Sequence, residues 1–149
     1  MAETKSAIHI VVTIFLFIVT VSLFSYWGYL WVSYLLGLIF DVAVGKTVFD
    51  MIVGLIAMAA SVLIFTGGIY SLLLKQVSSG LLKYGAIFFI IKNVFDVASN
   101  IFDLTNVATV MSQHIASAAI GIGGHFLQTA FWIFILIYFT RDEFTSKLS

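Results

Sequence analysis

Two oppositely charged residues stand one helical turn apart inside a long apolar segment of this sequence. Lys92 and Asp96 are i and i+4 neighbours, which is the spacing at which side chains pair along a helix. In a segment that crosses a membrane, an unpaired ion at the centre costs at least about 2.5–3.5 kcal/mol. Because pairing lowers that cost, we expect the pair to face other helices or water and not lipid.

The pair belongs to a polar stripe along the same predicted helix. At about 100° per residue, one face of this helix carries Gly85, Lys92, Asp96, Ser99, Asn100 and Asp103. Ionisable groups inside a membrane are candidates for an ion or proton path. Small membrane subunits also use polar pairs to fix helix packing or to dock a partner. We prefer this second interpretation, because no second acidic site backs the pair.

The last apolar segment carries a second stripe of polar and small residues. Its members are His114, Ser117, Gly121, Gly124, His125, Gln128 and Trp132. Ser117 and Gly121 form a small-x-x-x-small pattern, which lets two helices approach closely. We therefore predict helix packing at Ser117, Gly121 and Gly124.

His125 and Gln128 stand on the same face, where they would hydrogen-bond to the stripe that holds Asp96. A sharper hypothesis makes His125 part of a proton relay with Asp96. The candidate intramembrane site, for transport or for partner docking, comprises Lys92, Asp96, Asn100, Asp103, His125 and Gln128.

The sequence favours neither a metal nor a haem. Cysteine is absent, which excludes thiolate ligands and disulfides. His114 and His125 share a face but are about 16 Å apart along the helix axis, too far to bind one iron. His9 is predicted at the opposite end from His114. We therefore predict no metal and no cofactor, and the lack of a hydrolase, kinase or nucleotide motif predicts a protein that is not an enzyme.

The composition indicates what positions these residues. The chain has 149 residues, of which 62% are hydrophobic and 9% charged, whereas a soluble domain has about 25% charged residues. Such a chain lacks the polar surface that keeps a globule in water, so the lipid bilayer is its expected partner. Zero net charge and the lack of a basic run argue against nucleic acid.

The hydrophobic pattern predicts an all-α fold, an integral membrane four-helix bundle with short connections in one transmembrane domain covering residues 1–149. The expected spans are 8–27 (or 8–40 if the first helix continues), 47–74, 81–104 and 113–140. Gly67-Gly68 is expected to be a flexible point of the second span. The aromatic cluster expected to mark a membrane interface consists of Tyr26, Trp27, Tyr29, Trp31 and Tyr34.

The distribution of basic residues predicts the orientation, because Lys and Arg concentrate on the cytoplasmic side. On one side of the predicted topology lie Lys5, Lys75, Lys83, Arg141 and Lys147. The opposite side has only Lys46. Both termini are therefore expected on the cytoplasmic side of a multi-pass protein.

Three functional hypotheses follow. The leading one is a non-enzymatic accessory or structural subunit of a larger membrane complex, in contact with other membrane subunits or with further copies of itself. The alternative is an oligomeric ion or proton channel or transporter that uses the stripe around Lys92 and Asp96. The third is a redox subunit that holds haem or quinone.

Overall fold

Four helices make up the fold. The computed structural model describes residues 7–40, 48–73, 75–107 and 112–141. Its helices are α1 (Ala7–Ile39), α2 (Val48–Leu72), α3 (Val77–Val107) and α4 (Ser112–Thr140). The predicted all-α four-helix bundle is confirmed.

With the longer alternative for the first span, every helix bound lies within four residues of the predicted one. The first helix continues to Ile39, as the longer alternative expected. α3 begins at Val77, within a segment expected to be a polar connection. The amide of Ser78 donates to Lys75 O at 3.0 Å and the amide of Ser79 to Gln76 O at 3.3 Å. The connection therefore forms hydrogen-bonded turns that lead directly into α3.

The helices run alternately up and down. α2 packs against α1 and α3, and α3 packs against α4. At one end, the His9 Nε2 atom of α1 lies 2.8 Å from Ser71 Oγ of α2, and the His9 ring meets the Phe139 ring of α4 edge-on at 5.9 Å. The start of α1 and the end of α4 therefore lie at one end of the bundle, and their position on the cytoplasmic side stays a prediction.

α2 and α3 pack closely against each other at two glycines. A Cβ added to Gly67 would lie 2.9 Å from Leu82 Cγ and 3.1 Å from the Leu82 amide nitrogen. A Cβ added to Gly85 would lie 2.7 Å from Ile64 Cδ1. Since real Cβ contacts are longer, glycine is what allows the two backbones to pack at this distance.

Gly67-Gly68 is therefore a packing position within a continuous helix. A Cβ on Gly68 would lie 2.6 Å from the Phe17 ring of α1. The two glycines face different neighbours, α3 and α1, and the expected flexibility at this point stays a prediction.

The outer surface of the bundle is apolar. Ile120 and Leu127 are each 76% exposed, although both side chains are strongly hydrophobic. Three helices are long and apolar enough to cross a membrane, over His9–Ile39, Val48–Leu72 and Ala119–Thr140. Together these features support membrane localisation. α3 is not one of the three, and its crossing of the membrane stays a prediction.

Candidate functional site

The Lys92–Asp96 pair forms near the middle of α3, as the i,i+4 spacing predicts. Lys92 Nζ lies 2.5 Å from Asp96 Oδ2, and the two side chains are 7% and 17% exposed. Both charges therefore lie inside the bundle, where each lowers the cost of burying the other.

Trp27 of α1 covers the ammonium group. Lys92 Nζ lies 5.6 Å from the centroid of the Trp27 ring, close enough for a cation–π interaction. The same ring fits against Gly54 of α2, where an added Cβ would lie 2.7 Å from it. Trp27 is thus a half-buried residue at the level of Lys92, and its place at the membrane interface stays a prediction. Tyr26 and Tyr29 of the same cluster remain exposed.

His125 of α4 approaches the pair from the other side. Its Nδ1 atom lies 3.5 Å from Asp96 Oδ2, which is within ion-pair distance. Nδ1 makes no hydrogen bond with any described residue. The Asp96 carboxylate therefore lies between an ammonium group and an imidazole, an arrangement that can fix two helices or pass a proton between carboxylate and imidazole.

Asn93 and Thr129 form a second polar contact between α3 and α4. Asn93 Nδ2 donates to Thr129 Oγ1 at 3.3 Å, and Thr129 Oγ1 donates to His125 O at 2.8 Å. Asn93 is only 1% exposed. Sequence reasoning missed Asn93 and Thr129 as site residues, although the i,i+4 spacing of Thr129 from His125 was a usable signal.

The other predicted site residues are more dispersed. Asn100 donates from Nδ2 to the backbone oxygen of Asp96 at 2.9 Å, so its amide is used within α3. Gln128 is exposed and lines a crevice that Lys92 also lines. The side chain of Asp103 lies outside the described residues.

The predicted packing glycines of α4 have loose surroundings within the chain. A Cβ on Gly121 would lie 3.7 Å from the Asn100 side chain, an ordinary contact, and one on Gly124 would meet no described atom within 4 Å. The side chain of Ser117 lies outside the described residues. Gly124 thus makes no close contact with the described residues, and its packing role stays a prediction.

A crevice of about 330 Å³ separates α1 from α4. Phe89 and Lys92 of α3 form its floor, and Phe15 of α1 faces Gln128, Phe131 and Trp132 of α4 across it. Of the buried polar cluster, Lys92 is the member that borders this crevice.

The described residues hold no group of three His, Asp or Glu side chains arranged as metal ligands. Asp96 and His125 are the two groups of this type that meet at the site. Comparisons with protein-family models, with curated proteins and with solved structures found no match to this chain.

Proposed function

We propose that this membrane protein is a non-enzymatic, multi-pass accessory or structural subunit of a larger membrane complex. The observation that carries the proposal is a stripe of small residues on the outward side of α4, here called the small face. Its members, all exposed, are Ala116, Ala119, Gly123 and Ala130. A Cβ added to Gly123 would meet no described atom within 4 Å.

The small face is shaped to receive another helix. Ala119 and Gly123 are four residues apart, which places them one above the other on the helix. Large side chains flank them, since Phe126 is 64% and Leu127 76% exposed. Transmembrane helices associate mainly through close packing, for which small residues between larger ones are the usual contact.

The polar site supports the same proposal. The charge of Lys92 is balanced inside the chain by Asp96, and His125 brings α4 to the same carboxylate. An internally neutralised cluster holds α3 against its neighbours without requiring a transported ion.

Native mass spectrometry after gentle extraction from the source membrane tests the proposal. The native chain is expected in a complex larger than the monomer, and Gly123→Leu is expected to release it because leucine fills the contact. Gly28→Leu is the matched control, since Gly28 also has no described atom within 4 Å of an added Cβ but lies on α1. A monomer in the native extract, or equal release by Gly28→Leu, would contradict the proposal.

A proton channel or transporter is the second candidate, favoured by the 3.5 Å between His125 Nδ1 and Asp96 Oδ2. Proteoliposomes with an internal pH-sensitive dye test it. Proton flux that Asp96→Asn abolishes, with the variant still folded, would support transport. Flux equal to that of empty liposomes would exclude it.

A further inference from the structure

α4 is the least enclosed of the three helices that are apolar enough to cross a membrane. Of its apolar part, 11% is buried within the chain, against 22% for α1 and 39% for α2. Lipid covers most of the remaining surface without cost, because exposed side chains such as Ile120 and Leu127 are hydrophobic. A polar side chain on this surface is therefore the exception that requires a partner.

Gln128 is that exception. The residue is exposed and stands near the middle of the apolar segment Ala119–Thr140. The Asn93 amide, by contrast, is buried and donates to Thr129 within the bundle. An amide that lies in lipid without a hydrogen-bond partner is costly, and glutamine side chains in membranes bond across to neighbouring helices. Gln128 therefore marks a side of α4 where a further helix is favoured over lipid.

The chemistry of the amide selects an identical partner. Its carbonyl oxygen accepts and its NH₂ group donates, so two glutamines placed opposite each other form two hydrogen bonds. Two copies that enter the bilayer in the same direction carry Gln128 at the same depth. A two-fold axis along the membrane normal then brings identical residues together. A charged side chain would repel its counterpart in this arrangement, whereas the amide is neutral.

The helical turn before Gln128 leaves room for the second helix. Gly124 stands four residues earlier on the same side of α4, and a Cβ added to it would meet no described atom within 4 Å. Leu127, which is 76% exposed, offers an apolar contact beside the amide. Gln128 lies about 140° around the helix from Gly123, so a partner at Gln128 leaves the small face to a subunit of another kind.

We propose that two copies of this chain associate in the bilayer through α4, with their Gln128 amides hydrogen-bonded to each other across a two-fold axis. Gly124 lets the two α4 helices approach, and Leu127 packs beside the amides. This goes beyond the proposed function, since it names the partner of a surface that the small face does not include.

Disulfide cross-linking of the purified chain in liposomes tests the proposal, since the native chain has no cysteine. Gly124→Cys is expected to give a covalent dimer on oxidation with copper phenanthroline at a high ratio of lipid to protein. Gly28→Cys is the matched control, because a Cβ added to Gly28 also meets no described atom within 4 Å but lies on α1. Its dimer yield measures random collision and is expected to be several-fold lower.

Variants of Gln128 in the Gly124→Cys background test the amide. Gln128→Leu keeps the bulk but removes the hydrogen bonds, and is expected to weaken association about tenfold. Gln128→Asn keeps an amide and is expected to retain most of the cross-link. Gln76→Leu is the control, since Gln76 is exposed on the connection between α2 and α3, and its yield should be unchanged. A circular-dichroism melt verifies that the variants fold.

Energy transfer between chains labelled at a single cysteine in place of Ala2 gives a second reading with the native Gly124. Three results would overturn the proposal. Equal dimer yields from Gly124→Cys and Gly28→Cys would show random collision only. Association that Gln128→Leu leaves unchanged would remove the amide from the contact. Association that Gly123→Leu abolishes and Gln128→Leu does not would assign the contact between copies to the small face.

Discussion

At the scale of single residues, Asp96 is the centre of the polar site and Lys92 is its first partner. Asp96 has a second group within ion-pair distance, His125, whereas the ammonium of Lys92 otherwise faces the Trp27 ring. The loss of one charge therefore has different consequences for the two positions.

We expect Asp96→Leu to destabilise the protein more than Lys92→Met, because it leaves a buried ammonium group without a carboxylate. Breaking a buried pair costs about 3–5 kcal/mol, and in Lys92→Met the His125 imidazole still lies 3.5 Å from Asp96 Oδ2. The melting temperature in detergent measures both variants.

The double variant Lys92→Met with Asp96→Leu distinguishes the roles of the pair. If the pair only fixes helix packing, the double variant should recover expression and keep the assembly of the complex. If it conducts ions or protons, the variant should fold but lose flux in liposomes. A double variant less stable than either single one would show that the two charges do not stabilise each other.

The contact between Asn93 and Thr129 is a second residue-scale test. Thr129→Val removes the acceptor of Asn93 Nδ2 and leaves a buried amide unsatisfied, which costs about 1–3 kcal/mol. Thr140→Val is the control, because Thr140 also donates to the carbonyl four residues before it, at 2.7 Å, but is exposed. Equal shifts of the melting temperature in both variants would show that the Asn93 contact contributes nothing.

At the scale of elements, α2 and α3 pack closely because glycine, which has no side chain, stands at Gly67 and Gly85. Gly67 meets the Leu82 backbone nitrogen, which cannot rotate away as a side chain can. α4 meets α3 less closely, since the space beside Gly121 ends at the Asn100 side chain. The tightest glycine contact thus belongs to the second helix and not to the fourth.

Gly67→Ala is therefore expected to lower the free energy of unfolding by about 1–3 kcal/mol, as overpacking does. Gly28→Ala has open space and should keep or slightly raise the melting temperature, because alanine favours a helix over glycine. Gly121→Leu, at a position where the sequence predicts close helix packing, is expected to have a smaller effect, because the added side chain first meets the Asn100 side chain, 3.7 Å from an added Cβ. If the Gly67→Ala protein were as stable as the Gly28→Ala protein, Gly67 would not be a position of close packing between α2 and α3.

At the scale of the whole molecule, helix length and helix order decide how the bundle sits in the bilayer. α1 has 33 residues, a length of about 50 Å against a hydrocarbon core of about 30 Å. α1 therefore either tilts or extends beyond the core. The alternating order of the helices brings the described chain ends together, on the same end as the α2–α3 connection.

Cysteine labelling tests the orientation, since the native chain has no cysteine. Single cysteines at Ala2, Gln76 and Lys147 are expected to react with an impermeant maleimide from the cytoplasmic side only. A cysteine at Phe40, at the end of α1, should react only from the opposite side. Labelling of the Ala2 and Lys147 positions from opposite sides would contradict an even number of crossings.

The sequence by itself determined the fold class, the number of helices and the pairing of Lys92 with Asp96. These follow from local information: long apolar runs demand helices in lipid, and the i,i+4 spacing places two side chains together whatever surrounds the helix. The stripe on α4 also predicted that His125 faces α3, since helical periodicity determines which residues share a face.

Only the tertiary structure decided which glycines are packing positions and what covers the charges. Gly67, Gly85 and Gly123 all stand within apolar helical segments. Gly67 and Gly85 lie where α2 and α3 pack against each other, whereas Gly123 faces outward. The position of Trp27 over Lys92 and the crevice between α1 and α4 depend on the axial shift and rotation of each helix against the others. Those quantities come from side-chain packing between segments distant in the chain, which periodicity within one segment does not contain.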